Sequence, residues 1–352
     1  MTLTDLLCDR IAASGPLTVA EYMTEALLHP DHGYYTTRTP FGRAGDFITA
    51  PDISQMFGEL TGLSLAQSWL DQGAPARFTL AELGPGRGTL MADIMRATAA
   101  VPGFAAADIV LVEASARLRD VQAKALQGHN VRWIDDARDL PDGPLWCVAN
   151  EFFDALPIRQ FVRDGDGWRE RCVGLADGAL SFGLAPRSPH PDLDHRLEDT
   201  ADGDLVELCP TAHAVMAELG HRIGSHGGAA LIFDYGDWRS LGDTLQAVRD
   251  HAPVDVLDTP GTADLTAHVD FEALARHAQP ATFSRLTPQG VFLERLGITQ
   301  RAQALARGLT GHTLDAHIAA HRRLTHPDEM GNLFKVLGLC PASAAPPPGL
   351  LE

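Results

Sequence analysis

The stretch ELGPGRGTL, Glu82 to Leu90, follows the apolar run FTLA and opens TLMADIMRATAA, whose apolar residues recur at helical spacing. It therefore reads as a strand that runs through a glycine turn into a helix. Gly84, Gly86 and Gly88 remove side chains where the turn must be tight and where a ligand must approach the backbone, beneath the N–H groups of the helix start. A dinucleotide site needs its third glycine one position later, where Thr89 stands, and a phosphate loop needs a Gly-Lys-Ser/Thr that is absent. Glu82 points the same way: a carboxylate two residues before the first glycine opposes a pyrophosphate but suits an ammonium group.

Working outward, apolar runs alternate with helical patterns: FTLAELG, TLMADIMRATAA, DIVLVEA, SARLRDVQAKALQG, VRWIDD and PLWCVANEF. This rhythm implies βαβ units and a parallel sheet, so an α/β, doubly wound, Rossmann-like fold is expected. Glu113 ends the strand after the glycine loop, roughly 25 residues on, where a carboxylate can accept bonds from two ribose hydroxyls. Asp136, with Asp135 beside it, ends the next strand and is a candidate acceptor for the amine of adenine. Glu82, Gly84, Gly86, Gly88, Glu113, Asp135 and Asp136 together describe a site for an adenosyl ligand carrying a methionine-like ammonium, which is S-adenosyl-L-methionine.

At the N-terminal side, LTDLLCDRIAAS has helical spacing, and Thr18 with Glu21 has capping-box spacing ahead of a second helix, with Leu17 and Tyr22 as its hydrophobic staple. The segment from His29 to Thr49 reads as an ordered loop rich in glycine and aromatics. Turn signals at Asp164-Gly165 and Asp177-Gly178 predict hairpins between Phe161 and Leu184. The expected organisation is N-terminal helices and lid over 1–72, the cofactor-binding half of the core over 73–160, and an insertion with hairpins and a helix over 161–228. The rest of the core and C-terminal helices follow over 229–340, with a disordered Pro-rich tail over 341–352.

Lys and Arg number 28 against 46 Asp and Glu, a formal charge of −18, which disfavours nucleic acid and anionic lipid and favours a basic partner. The five cysteines are widely spaced, as reduced, packed thiols would be. No apolar run is long enough for membrane insertion, and the N-terminal acids Asp5 and Asp9 argue against a presequence, so a cytoplasmic bacterial location is expected. His317 and His321 share a helix face without a completing ligand, and no metal is expected.

Over nearly its whole length the chain resembles the MidA family, through HPDHGYY, GDFITAPDISQMFGEL, ELGPGRGTLMADIMR, VEASARLRDVQ, NEFFDALPIRQF, IFDYG, DLTAHVDFEAL, TPQGVFLERLGI and MGNLFKVL. The resemblance implies a class I methyltransferase fold, S-adenosyl-L-methionine as donor, and Gly84, Gly86, Gly88 and Glu113 as donor-binding residues. Eukaryotic members are mitochondrial complex I assembly factors associated with dimethylation of a protein arginine, so the implied partner is a protein with an accessible arginine, on a complex I-type subunit or its precursor.

An arginine acceptor needs carboxylates to orient its guanidinium and stabilise charge while a proton is lost. NEFFDALP supplies them at the carboxyl edge of the sheet: Glu151 is the first candidate, Asp154 the second, and Asn150 is expected to face the cofactor. Gly45, Asp46, Phe47 and Thr49 are candidates for a lid, and Tyr34, Tyr35 and His268 for the acceptor channel. A weakly catalytic donor-binding assembly factor and a small-molecule methyltransferase are the rival readings. The sequence leaves a homodimer open.

Overall fold

A computed structural model describes residues 1–37 and 49–351, which form two compact units. The larger comprises 49–153, 213–238 and 271–351, and the smaller 1–37, 154–212 and 239–270. These boundaries differ from the expected ones, because the N-terminal helices bury their apolar stripe with residues drawn from all three of the following expected segments. Leu3, Leu7, Ile11, Tyr22 and Met23 share one core cluster with Ile158, Val173, Ala247 and Leu265.

In the larger unit the parallel strands are β1 (Thr79–Leu83), β2 (Asp108–Val112), β3 (Val131–Ile134), β4 (Leu145–Asn150) and β5 (Gly228–Asp237). The sixth, β6 (Phe334–Cys340), runs antiparallel to β5. The order across the sheet is β3-β2-β1-β4-β5-β6, with Thr282–Phe283 beyond β6. Leu83 is in register with Val112 on one side and Ala149 on the other, so the chain order reverses at β1 and leaves a crevice beyond the carboxyl ends of β1 and β4. Every residue of β1 and β4 is buried, as strands covered on both faces must be.

Three helices matter for the site: α1 (Gln55–Asp71), α2 (Thr89–Thr98) and α3 (Ala116–Ala125). Gly58 and Gly62 of α1 lie where a Cβ would meet Asp93 and Ile94, so small residues let α1 and α2 pack closely. Beneath them Trp69, Phe78, Phe104 and Trp146 make a chain of ring contacts, with centroids 5.8 Å apart for Trp69–Phe104 and 5.2 Å for Phe78–Trp146. Each such pair contributes about 1 kcal/mol beyond its burial.

In the smaller unit the capping box forms as expected: the Glu21 N–H donates to Thr18 Oγ1 at 3.1 Å and the Thr18 N–H to Glu21 Oε2 at 2.8 Å. The hairpins are also present, as Arg159–Asp164, Gly167–Ala176 and Ala179–Leu184. The second turn places Asp177 and Gly178 at positive φ, as a two-residue hairpin turn requires.

The tail from Pro341 is a correction. It is packed rather than disordered: Leu350 lies in the main core cluster, and Ser64 Oγ donates to the Pro348 carbonyl at 2.7 Å. The space beside Gly338 is filled by Leu350 itself, so the absent side chain on β6 makes the socket for the tail.

Candidate active site

The tip of β1 carries Glu82, whose side chain is 3% exposed. Among the described residues its Oε2 has no hydrogen-bond partner. Burial pushes its carboxyl up to about 8, offset only in part by the Met91 backbone N–H at the start of α2. A buried carboxylate left short of partners costs stability unless a ligand completes it.

Next in the chain the loop keeps all three glycines at positive φ: 60° at Gly84, 51° at Gly86 and 80° at Gly88. Gly84 differs in one respect from the sequence expectation. The place of its missing side chain is taken by the Phe152 ring, whose Cδ2 stands 2.8 Å from where a Cβ would be. At Gly88 a Cβ would make only ordinary contact with Gln122 of α3, and it is the left-handed backbone that calls for glycine.

Glu113, at the end of β2, receives the Ser115 N–H on Oε1 at 2.8 Å and Gln122 Nε2 on Oε2 at 3.1 Å. Partial burial holds its carboxyl above the usual glutamate value, offset only in part by these bonds. Gln122 also donates to the Gly86 carbonyl at 2.9 Å, so one amide ties the loop to the ribose candidate. The sequence reasoning missed Gln122, although a signal was present: it lies four residues after Leu118 and four before Leu126, on the buried stripe of an otherwise polar helix.

At the tip of β4, Asn150 is buried, and its Nδ2 donates to Glu151 Oε1 at 3.1 Å while its Oδ1 has no partner among the described residues. Glu151 sits at φ 52°, a left-handed conformation that costs a residue with a Cβ about 1 kcal/mol. Its Oε1 also receives the Ala50 N–H at 3.4 Å, and the Phe153 N–H is taken by Asp234 on β5. The first residues of NEFFDALP are thus held by backbone bonds while Glu151 is turned off the strand.

Other candidates sit elsewhere. Asp135 is 78% exposed at its side chain and paired with Arg119. Asp136 caps the short 3-10 turn Ala137–Asp139 and pairs with Arg138. Both acids, expected at the adenine, thus take part in surface contacts, Asp136 as an N-cap and each in an ion pair. Asp154, Tyr34, Tyr35 and His268 belong to the smaller unit. There Tyr34 is fully buried in the core, Tyr35 donates to Asp264 Oδ1 at 2.8 Å, and the exposed His268 gives its backbone N–H to Thr244. Gly45, Asp46 and Phe47 lie outside the described residues, while Thr49 stands at the N-cap of Ala50–Ile53. His317 bonds the Ala302 carbonyl and His321 faces Thr299, so the two rings serve separate contacts.

The sequence pattern of a family described as "Putative S-adenosyl-L-methionine-dependent methyltransferase" matches residues 60–289. The chain belongs to this family. The methyltransferase is 38% identical to human "Protein arginine methyltransferase NDUFAF7, mitochondrial", over 94% of this chain and 82% of the relative. The Xenopus laevis protein of the same name is 37% identical over 95% and 83% of the two chains. A superfamily member from Burkholderia thailandensis, solved with S-adenosyl-homocysteine bound, superposes with a TM-score of 0.83 at 30% identity, covering 96% of this chain and 91% of that one. The MidA resemblance and the class I methyltransferase fold hold, and the methyltransferase uses S-adenosyl-L-methionine as its donor.

Proposed function

We propose that this enzyme methylates an arginine of a protein substrate, with Glu151 gripping the acceptor guanidinium. The observation that carries the proposal is the conformation of Glu151. A strained left-handed residue, fixed from below by the Ala50 N–H and the Asn150 amide, stands at the sheet's switch point beside the glycine loop. The two relatives named as protein arginine methyltransferases, aligned over most of their length, support the choice of acceptor.

The donor site is assembled from Glu82, Gly84, Gly86, Gly88, Glu113 and Asn150. The orphaned buried oxygens of Glu82 and Asn150 are the fit test: at neighbouring strand tips they offer acceptors for a methionine ammonium, and Glu113 accepts from the ribose. When bound, the sulfonium supplies an electrophilic methyl whose bond to sulfur breaks as the bond to nitrogen forms. Glu151 aligns one guanidinium nitrogen for that in-line displacement and stabilises the positive charge until the nitrogen's proton departs. Phe152, whose ring stands against Gly84, excludes water from the loop.

Purified enzyme incubated with methyl-labelled donor and an arginine-bearing protein tests this. Glu151→Gln should lower turnover roughly 100-fold while leaving S-adenosyl-homocysteine affinity within about twofold. Equal turnover in the two proteins, or label retained when the acceptor arginine is replaced by lysine, would remove the assignment.

A further inference from the structure

Gln122 is fully buried on α3, yet each end of its amide is engaged. Nε2 donates to the Gly86 carbonyl at 2.9 Å and to Glu113 Oε2 at 3.1 Å, and Oε1 accepts the Trp133 indole N–H at 2.8 Å. An indole N–H only donates, so Trp133, on β3, decides which end of the amide faces the loop. Gly88, at φ 80°, makes the turn that sets the loop in van der Waals range of Gln122. A carboxylate has about four lone-pair sites, and Glu113 spends its inner ones on Ser115 and Gln122, leaving others for a ligand.

We propose that Gln122 is a positioning residue for the methyl donor: it fixes Glu113 and the Gly86 carbonyl relative to each other so that the ribose end is received, and Trp133 sets its orientation. This rests on Glu113 accepting the ribose hydroxyls. A glutamine that merely satisfied a core would affect folding, with no preference for the donor over the acceptor and no dependence on Glu113.

The test is calorimetric titration of the whole enzyme with S-adenosyl-homocysteine, together with steady-state kinetics. Gln122→Met keeps the length of the side chain and removes its donors. It should weaken binding by about 10-fold, raise the donor KM to match, and leave kcat at saturating donor within about twofold. Glu113→Gln should weaken binding by itself, and adding Gln122→Met to it should weaken binding much less than it does in the wild type. Trp133→Phe, which removes only the orienting donor, should give a smaller loss in the same direction and keeps the idea testable if Gln122→Met fails to fold. If Glu113→Gln weakens binding while Gln122→Met folds and binds normally, the proposal is overturned and the ribose assignment stands. Unchanged binding in Glu113→Gln overturns both. Full additivity of the two substitutions overturns the proposal by showing that Gln122 does not act through Glu113.

Discussion

Glu82 shows how a single side chain can cost stability and supply affinity. Its carboxyl titrates near 8 in the folded protein against 4.5 for an ordinary glutamate, because burial disfavours the charge. Between those values the folded state holds a proton that the unfolded state has lost. The contribution is fully present below the unfolded value and is lost as pH rises through the folded one, at up to about 1.4 kcal/mol per pH unit. Ligand-free Glu82→Gln should therefore lose less stability than wild type between about pH 5 and pH 8, measured by urea melts at each pH. The same substitution should weaken donor binding at high pH, where the ionised carboxylate would meet the ammonium. Glu151 makes a different residue-scale prediction. Because its backbone is left-handed, Glu151→Gly should unfold at higher denaturant than Glu151→Ala, by about 1 kcal/mol, although both lose turnover. Glu82 was legible because its charge contradicts the phosphate reading of a glycine loop. The strain at Glu151 was not, since no pattern of residue types encodes a φ angle.

At the scale of elements, helices and hairpins with strong local signals were readable, and those fixed by distant packing were not. The Thr18–Glu21 box and the Asp177-Gly178 turn are local chemistry and form where expected. The tail was misread because proline content describes the free chain and says nothing of a socket at Gly338. Leu350→Ala should destabilise the larger unit by about 2–3 kcal/mol, visible as a lower melting temperature with the affinity for S-adenosyl-homocysteine retained. Helix Pro210–His226 offers a companion test. A Cβ at Gly220 would stand 1.9 Å from the Ala278 carbonyl oxygen, backbone that cannot swing away, so Gly220→Ala should cost about 1–3 kcal/mol or more in the same assay.

For the whole molecule, the parallel sheet was legible from the alternation of buried strands and amphipathic helices, whereas the reversal of strand order at β1 came only with the structure. The grouping of the N-terminal helices with later segments inside the smaller unit was not legible either, because their stripes reveal that they are covered without revealing by what. The formal charge of −18 belongs at this scale too. It should draw a basic acceptor by long-range attraction, so KM for an arginine-rich protein should rise several-fold between about 0.05 and 0.3 M salt, while the donor KM stays nearly constant. An acceptor KM indifferent to salt would show that recognition is local. The strand order has a further consequence for biosynthesis. A ribosome releases residues 228–237 long before 334–340, so one flank of β5 must wait, apolar and with its backbone groups unpaired, until its antiparallel neighbour emerges. The nascent enzyme is thus most prone to self-association while that late strand is still in the exit tunnel, and slowing translation between the two segments would prolong the hazard.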